Sequence, residues 1–380
     1  MKSSKMNNIR VIISGGGTGG HIFPAIAIAD GLKKFYPNVE ILFVGANGKM
    51  EMEKVPAAGY DIVGLNVEGL SRSSMLKNVV VMAKFALSVV KAMGIIRRFK
   101  PALAIGVGGY ASGALLKAAG FLRVPYLIQE QNSFPGKTNL MLGKKAKAIC
   151  VAFPDMEKFF DEKKLVMSGN PIRKDFINLK MKDEKAYEFF GIEDKSKLVI
   201  LIVGGSQGAM SINKAIAAEI QRLVETQAHI IWQVGKNYIN EAKALVSSLN
   251  LEDKVWVSDF IYRMDYAYSV ADLVITRAGA IAASEICAVG LPAIFVPLPT
   301  AAENHQMKNA LSIAENNAAL IVEDKDLKEK LYDTICECLN NSVLRMSLSK
   351  NIKTLSITNA VDRIVDVVDK QYIRIMSEEN

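Results

Sequence analysis

The sequence predicts an α/β protein made of two doubly wound domains, each built on its own parallel sheet. Short apolar runs rich in β-branched residues alternate with amphipathic helical patterns, which is typical of parallel strands buried on both faces. The 380-residue length fits two domains. A strand, a glycine-rich turn and an amphipathic helix follow one another at Val11 and again at Val199. Each of these patterns is predicted to open one domain.

Eight apolar runs are predicted to be strands, four in each domain. They are residues 10–14, 41–45, 102–106, 126–129, 198–203, 230–234, 273–276 and 293–297. The first domain is predicted to span residues 1–175, ending with the motif GNPIRKD, and the second to span residues 176–354. Residues 355–380 form a helical pattern whose docking partner the sequence leaves open.

The net charge of +8 is unevenly distributed along the chain. Residues 1–175 contain 25 Lys and Arg against 12 Asp and Glu, whereas residues 176–380 contain 22 against 27. Residues 69–129 contain no acidic residue. The first half is therefore expected to face an anionic partner: a phosphate-bearing substrate, a nucleic acid or an anionic membrane. With 50% apolar and 23% charged residues, a disordered chain, a coiled coil and a collagen-like fibre are excluded.

The four cysteines have no CxxC spacing and no nearby pair of histidines, so neither a zinc site nor a disulfide framework is predicted. The apolar run ahead of the first glycine loop is too short for the core of a signal peptide, so we expect no export by that route. A reducing cytoplasm fits both observations.

The loop GGGTGGH, residues 15–21, follows the first predicted strand and precedes a helix. Its Gly-x-Gly-x-x-Gly spacing fits a dinucleotide site, but Gly45 ends the second strand where a nicotinamide dehydrogenase needs an acidic residue. A P-loop NTPase is disfavoured because His21 and Ile22 replace the lysine and the Ser or Thr. His21, just ahead of the helix, is expected to be neutral and able to accept a proton; alternatively it caps the loop or binds a phosphate.

Two further glycine loops, residues 108–113 and 204–209, repeat this pattern. Their small residues allow a ligand to approach the backbone, and the first amides of the following helix favour an anion. The alternative is that all three loops are only tight turns. Pro24 is predicted to lie in the first turn of its helix, where it loses no hydrogen bond.

Candidate donor-side residues lie in the second half. Glu285 follows a glycine turn by about one and a half helical turns, within reach of sugar hydroxyls held at the helix start; alternatively it is a solvated helix residue. The motif ENHQ, residues 303–306, offers amide and imidazole donors, or is a capping cluster. Asp324 and Asp326 lie in a charged run and are predicted to be surface residues, so no metal cluster is expected.

Taken in order, motifs along nearly the whole chain resemble those of the MurG family of bacterial glycosyltransferases. They are GGTGGHIFPAIAIA, GVGGYASG, EQNSFPGKTN, GNPIR, VGGSQGA, DLVITRAGAIAASE, GLPAIFVPLP and ENHQMKNA. The resemblance implies the GT-B fold, two Rossmann-like domains with the active site in the cleft between them. It also implies transfer of N-acetylglucosamine from UDP-GlcNAc to the 4-hydroxyl of undecaprenyl-pyrophosphoryl-MurNAc-pentapeptide in peptidoglycan synthesis, with inversion at the anomeric carbon and no cofactor.

The resemblance also implies roles for individual residues. The expected UDP-GlcNAc contacts are Thr18, Gly19, Gly20, Asn132, Arg173, Ser206, Ile261, Ala280, Ile281, Ala282, Ala283, Ser284, Glu285 and Gln306. Among these, Glu285 would hold the ribose hydroxyls, and Ala282 stands where the family often has threonine. Gly108, Gly109 and Tyr110 resemble the loop that faces the acceptor pyrophosphate. His21 is the expected catalytic base, and helix amides with Ser206 and Arg173 would stabilise the leaving UDP.

Residues 75–99 are apolar apart from their cations. Lys77, Lys84, Lys91 and Arg98 are spaced by seven, which on a helix places them in one stripe beside an apolar surface. A spanning helix is not expected, because Lys84 and Lys91 would lie in mid-bilayer at about 2.5–3.5 kcal/mol each. A basic amphipathic helix fits an anionic membrane surface, so we expect a peripheral protein on the cytoplasmic face of the membrane. The alternative is a helix whose apolar face lies in the core.

Nucleic acid is not an expected partner, because the basic segment lacks interleaved aromatic residues and any recognisable reading motif. Two other functions remain open beside the transferase: a glycosyltransferase that makes a glycolipid from diacylglycerol, and a membrane-bound regulator that binds a nucleotide sugar without turnover. The acceptor and the release of UDP would distinguish them.

Overall fold

The structure is a computed structural model that describes residues 9–69, 75–205 and 207–378, with side chains undescribed at 75–78 and 373–378. This part of the chain divides into two compact units. The first consists of the residues up to Ile172 together with those from Ile357 onward, and the second is Arg173–Ser356.

In the first unit the described residues form a seven-stranded parallel sheet of order β3-β2-β1-β4-β5-β6-β7. Its strands are β1 (Arg10–Gly15), β2 (Glu40–Ala46), β3 (Asp61–Leu65), β4 (Leu103–Gly108), β5 (Tyr126–Glu130), β6 (Ala148–Val151) and β7 (Leu165–Met167). The helices are α1 (Gly19–Phe35), α2 (Glu51–Ala57), α3 (Met75–Phe99), α4 (Tyr110–Phe121) and α5 (Lys137–Gly143). Val11, Ile12 and Ile13 of the central β1 are fully buried, because helices cover both faces of the sheet.

The second unit repeats this design with a six-stranded parallel sheet, among the described residues, of order β10-β9-β8-β11-β12-β13. Its strands are β8 (Val199–Val203), β9 (His229–Gln233), β10 (Val255–Ser258), β11 (Leu273–Thr276), β12 (Ala293–Phe295) and β13 (Leu320–Ile321). The helices are α6 (Glu184–Phe190), α7 (Met210–Glu225), α8 (Ile239–Ser248), α9 (Met264–Val270), α10 (Ala280–Val289), α11 (His305–Ala314), α12 (Leu327–Asn340) and α13 (Ser342–Thr354). The predicted fold class, two doubly wound parallel-sheet domains, is confirmed.

The last helix, α14 (Ala360–Glu378), packs against α1 of the first unit. Gly31 allows this contact, because a methyl group there would lie 2.2 Å from Cγ1 of Val361. The Tyr36 hydroxyl donates to the Asp369 carboxylate at 2.6 Å. The docking partner that the sequence left open is therefore the helix that follows the first glycine loop.

Pro24 lies elsewhere in its helix than predicted. Since α1 begins at Gly19, Pro24 is in the second helical turn rather than the first. There its ring nitrogen cannot donate to the carbonyl of Gly20, which a residue with an N–H would do. The helix accommodates this loss close to its N-terminus, beside the glycine loop.

Candidate functional site

The first glycine loop is held by a buried carboxylate that the sequence did not indicate. Glu51, at the start of α2, is fully buried, and its Oε2 accepts from the Gly17 N–H at 3.0 Å. Its Oε1 accepts from the Ala46 N–H, at the end of β2, at 2.9 Å. A methyl group on Gly16 would lie 2.1 Å from the same carboxylate, so only glycine fits there. An acidic residue at a helix start is common in sequences, and nothing in the pattern marks this one as buried.

The second glycine loop lies directly against the first. The Gly16 N–H donates to the Gly108 carbonyl at 3.3 Å. A methyl group on Gly109 would lie 2.5 Å from the Gly16 carbonyl oxygen. Both Gly108 and Gly109 have positive φ angles, 115° and 88°, which favour glycine. The structure therefore brings together two loops that are about 90 residues apart in the sequence.

His21 lies where these two loops meet. It is the third residue of α1 rather than just ahead of it, with Thr18 as the N-cap and Gly19 and Gly20 as the first helical residues. A methyl group on Gly108 would lie 2.6 Å from Cδ2 of the ring, so the imidazole packs against the second loop. Nδ1 lies 3.1 Å from the Gly16 carbonyl oxygen. A carbonyl only accepts, so this bond places the proton on Nδ1 and, in the neutral ring, the lone pair on Nε2.

Asn132 lies at the same edge of the sheet. The buried carboxylate of Glu130 accepts three hydrogen bonds. Two come from Asn132, from its backbone N–H at 3.0 Å and its side-chain amide at 3.2 Å, and one comes from the Asn139 amide at 2.8 Å. The neighbouring Gln131 donates to the Val107 carbonyl at 2.6 Å, which joins this segment to the residue before Gly108. Parallel strands direct their carboxyl ends to one edge, where ligands of such sheets bind.

Tyr110 is the first residue of α4 and is half exposed. A methyl group on Gly69 would lie 2.5 Å from its hydroxyl oxygen. Tyr110 therefore lies against the segment that follows β3, as well as adjoining the second glycine loop.

In the second unit, the glycine loop between β8 and α7 is also closely packed. A methyl group on Gly204 would lie 2.2 Å from the Ala209 nitrogen, and one on Gly208 would lie 2.2 Å from the Val234 carbonyl oxygen. Ser206, the predicted phosphate contact in this loop, lies outside the described residues.

Arg173 and Glu285, predicted from motifs more than 100 residues apart, form an ion pair in the second unit. Arg173 Nε lies 3.5 Å from Oε1 of Glu285, and its guanidinium lies 4.2 Å from the ring centre of Phe176. The Tyr268 hydroxyl hydrogen-bonds to the same carboxylate. The Arg173 side chain is 48% exposed and that of Glu285 only 11%. The pair thus presents a fixed cation above a nearly buried carboxylate.

Burial determines the protonation of this carboxylate. Desolvation raises the pKa of Glu285 to about 7, with the positive charge of Arg173 acting in the opposite direction. Desolvation, with the nearby carboxylate, also raises the pKa of Tyr268 well above its usual value, so its hydroxyl stays a donor. Near neutral pH, Glu285 is therefore close to its titration midpoint, and a ligand that donates hydroxyl groups to it favours the ionised form.

The remaining predicted donor residues lie on α10, α11 and the segment after β10. Ala280 and Ala283 are buried, Ile281, Ala282 and Ser284 are half-buried, and Ile261 is buried. Gln306, in the first turn of α11, accepts from the Leu298 N–H at 2.9 Å. The buried Asn309 donates to the Ala278 carbonyl at 3.2 Å, which brings the start of α11 to the loop that precedes α10.

Asp324, predicted to be a surface residue, is partly exposed but engaged by neighbouring side chains. Its carboxylate pairs with Arg277 Nη1 at 2.6 Å and accepts from the Ser211 hydroxyl at 2.7 Å. Arg277 also donates to Ser211 and to the Val296 carbonyl. This network connects the first turn of α7 to the loop before α10. No three His, Cys, Asp or Glu side chains lie close enough to hold a metal ion within the described part of the chain.

Two domain models of one protein family match this chain. The amino-terminal domain model of glycosyltransferase family 28 matches residues 11–151, and the carboxy-terminal domain model matches residues 199–364. The chain belongs to glycosyltransferase family 28.

The family assignment extends to the MurG group, as the motifs predicted. A relative from Parabacteroides distasonis is 50% identical over 365 residues, which are 96% of this chain and 99% of the relative. One from Porphyromonas gingivalis is 49% identical over 373 residues, 97% of each chain. Both are named UDP-N-acetylglucosamine–N-acetylmuramyl-(pentapeptide) pyrophosphoryl-undecaprenol N-acetylglucosamine transferase. The crystal structure of Acinetobacter baumannii MurG has a TM-score of 0.76 at 28% identity and covers 95% of this chain and 99% of its own.

Replacing Glu51 with glutamine tests whether its carboxylate fixes the first glycine loop. The amide NH2 would face a backbone N–H. We therefore expect the free energy of unfolding to fall by about 1–3 kcal/mol, and kcat/KM to fall at least about tenfold. Chemical denaturation and steady-state kinetics measure the two effects. Glu53→Gln, two residues along α2 and exposed, is the matched control. Equal behaviour of the two variants would contradict the role of Glu51.

Proposed function

We propose that this chain transfers N-acetylglucosamine from UDP-GlcNAc to the 4-hydroxyl of undecaprenyl-pyrophosphoryl-MurNAc-pentapeptide, in peptidoglycan synthesis. The observation that carries the proposal is 50% identity, over nearly the full length of both chains, to a relative named for this transfer. The geometry of the two units supports it, since each gathers residues of the type that the reaction needs at the carboxyl edge of its sheet.

His21 acts as the base in this proposal. Its Nδ1 proton is engaged by the Gly16 carbonyl, so Nε2 takes the proton of the acceptor 4-hydroxyl as that oxygen attacks the anomeric carbon. The bond from the anomeric carbon to the UDP oxygen breaks in the same displacement, and UDP leaves with the electron pair. The configuration at the anomeric carbon is thereby inverted.

The acceptor pyrophosphate binds at the second glycine loop. Gly108 and Gly109 bring the backbone close to the ligand, and Tyr110 begins α4, whose N-terminus favours an anion. Thr18, Gly19 and Gly20, at the start of α1, are proposed to contact UDP-GlcNAc. Asn132, held by Glu130, is a further proposed contact of UDP-GlcNAc.

The other proposed contacts of the donor lie in the second unit. Glu285 accepts from the ribose hydroxyls, and Arg173, oriented by Glu285 and Phe176, stabilises the charge that develops on the departing diphosphate. The N-terminal residues of α10, which are Ala280, Ile281, Ala282, Ala283 and Ser284, provide backbone amides for the same charge. Ser206, Ile261 and Gln306 complete the donor site in this proposal.

The membrane-facing surface in this proposal is the exposed face of α3. Val79–Phe99 is long and apolar enough to cross a bilayer by length and composition, yet Val89, Ala92 and Ile96 on one side are buried in the first unit. Five other apolar side chains of α3 are 55–69% exposed; they are Val79, Val80, Met82, Leu87 and Val90. In this proposal the helix lies on the membrane surface without spanning it, and the enzyme is peripheral on the cytoplasmic face.

The predicted cation stripe borders this face but is partly engaged by its own unit. Lys84 pairs with Glu68 at 2.7 Å, and Lys91 donates to the Gly64 carbonyl at 2.8 Å. Arg98 is exposed at the end of α3, and the side chain of Lys77 lies outside the described residues. In this proposal the apolar face therefore contributes more to membrane binding than the lysines do.

Turnover with purified lipid-linked acceptor tests the proposed reaction. We expect UDP release and product formation with UDP-GlcNAc. With UDP-N-acetylgalactosamine or UDP-glucose, kcat/KM should be at least tenfold lower, and each tenfold corresponds to about 1.4 kcal/mol of activation free energy. Transfer to diacylglycerol instead would identify a glycolipid synthase. Tight UDP-GlcNAc binding without UDP release in the presence of either acceptor would identify a regulator.

Replacing His21 with alanine should lower kcat by about 10²–10⁴-fold, because the acceptor proton loses its base. The dissociation constant for UDP-GlcNAc should stay within about twofold, as calorimetry would measure. His229→Gln, at the start of β9, is the control and should retain kcat. A His21→Ala variant with near-normal kcat and only a raised KM would show that the residue binds substrate without taking the proton.

The affinity for UDP-GlcNAc should rise with pH. With its pKa near 7, Glu285 is about one tenth ionised at pH 6 and about nine tenths ionised at pH 8. Ribose hydroxyls donate to the ionised form, so affinity should increase about ninefold over this range, and Glu285→Gln should bind more weakly with little pH dependence. Isothermal calorimetry at several pH values measures this. A slope that persists in the glutamine variant would remove Glu285 as its source.

Replacing Val79 and Val90 together with serine tests the membrane surface. Both are exposed on α3, so the fold should be retained while binding to anionic vesicles weakens at least about tenfold, measured by co-sedimentation. Val343→Ser, equally exposed in the second unit, is the control. Unchanged sedimentation of the double variant would refute the assignment of this face.

A further inference from the structure

The first unit contains a cationic groove that shares Lys84, Leu87 and Lys91 with α3. It has a volume of about 510 Å³ and lies where β2 and β3 end against α3. Its polar and charged lining consists of Asn47, Lys49, Asn66, Glu68, Lys84 and Lys91 together with Ser88. This volume is typical of a site for a small molecule or a short peptide.

Chain neighbours of the groove's lining residues connect it to both glycine loops of the first unit. Asn47 directly follows Ala46, whose N–H is held by the carboxylate of Glu51 that also holds Gly17. On the other side, Glu68 precedes Gly69, which lies against the Tyr110 hydroxyl. The groove is therefore linked to the second glycine loop through the contact of Gly69 with Tyr110.

Its charge is positive and largely fixed. One carboxylate, Glu68, faces three lysines, and it pairs with Lys84 at 2.7 Å. Lys91 is held by the Gly64 carbonyl at 2.8 Å, so its ammonium is positioned before a ligand arrives. Asn47 donates to Asn66 at 2.5 Å, and such amides provide the hydrogen-bonding groups that a peptide backbone uses. An anionic peptide fits this combination of cations and amides.

We infer that the groove binds the peptide stem of the acceptor through the carboxylates of the stem. The inference rests on the proposed function, in which the acceptor is a muramoyl pentapeptide attached through its amino end, so that the carboxyl end is free. A phospholipid headgroup is a different anionic occupant, but it would make no use of the connection between the groove and the second glycine loop. Lys49 and Lys91 are then specificity-determining residues for the acceptor.

The double variant Lys49→Gln/Lys91→Gln tests the inference with two lipid-linked acceptors, one bearing the pentapeptide and one bearing none. We expect KM for the pentapeptide acceptor to rise at least about tenfold, with kcat and the KM for UDP-GlcNAc within about twofold. The peptide-free acceptor should be used equally by the variant and the unmodified protein. Lys49→Arg/Lys91→Arg should restore a low KM, and Lys117→Gln, on α4 outside the groove, is the control.

An equal rise in KM for both acceptors would overturn the inference, as would a loss of binding to anionic vesicles with no difference between the acceptors. The latter result would identify a headgroup site. Calorimetry with soluble MurNAc-pentapeptide provides a readout that does not depend on turnover. The unmodified protein should bind it and the glutamine double variant should bind at least about tenfold more weakly; equal binding would overturn the inference even if no acceptor were turned over.

Discussion

The bond between the Glu51 carboxylate and the Gly17 N–H determines the arrangement of the first unit's site. It fixes the first glycine loop, and this loop then supplies two contacts: the Gly16 carbonyl that engages His21 and the Gly16 N–H that joins the second glycine loop. A glycine-rich segment has little intrinsic preference for one conformation, so an anchor of this kind has to come from elsewhere in the fold. Because Glu51 is fully buried, the loss of either N–H partner would leave a desolvated acceptor.

In the second unit, different side chains anchor the loops of the candidate site. Arg277, Asp324 and Ser211 connect the start of α7 to the loop before α10. Arg173 and Glu285 pair with each other, the Arg173 guanidinium lies over the ring of Phe176, and Glu285 accepts from the Tyr268 hydroxyl. In both units, hydrogen-bonded polar side chains hold loops at the carboxyl edge of a parallel sheet. The consequence for function is that the groups aimed at the substrate are already oriented before it binds.

The fold was predictable because β-branched runs and glycine turns are local signals. Five of the thirteen strands that the structure describes were missed: β3, β6, β7, β10 and β13. β3 begins with an aspartate and contains a glycine, and the other four have only two to four residues each. Motifs identified His21, Arg173 and Glu285 as candidate site residues, and their roles stay predictions. The roles of Glu51, Glu130 and Asp324 were not predicted from the sequence. A single carboxylate in a helical or charged segment is expected to be solvated, and only the fold shows the backbone amides or the guanidinium that bind it.

The tautomer of His21 tests this account most directly. The chain has three histidines, so ¹⁵N-histidine NMR spectra of the protein and of a His21→Gln variant assign the His21 ring by difference. The account expects the neutral ring to carry its proton on Nδ1, donated to the Gly16 carbonyl, with Nε2 unprotonated. A neutral His21 with its proton on Nε2 would leave no lone pair to accept the acceptor proton there, and would contradict the proposed role of the residue.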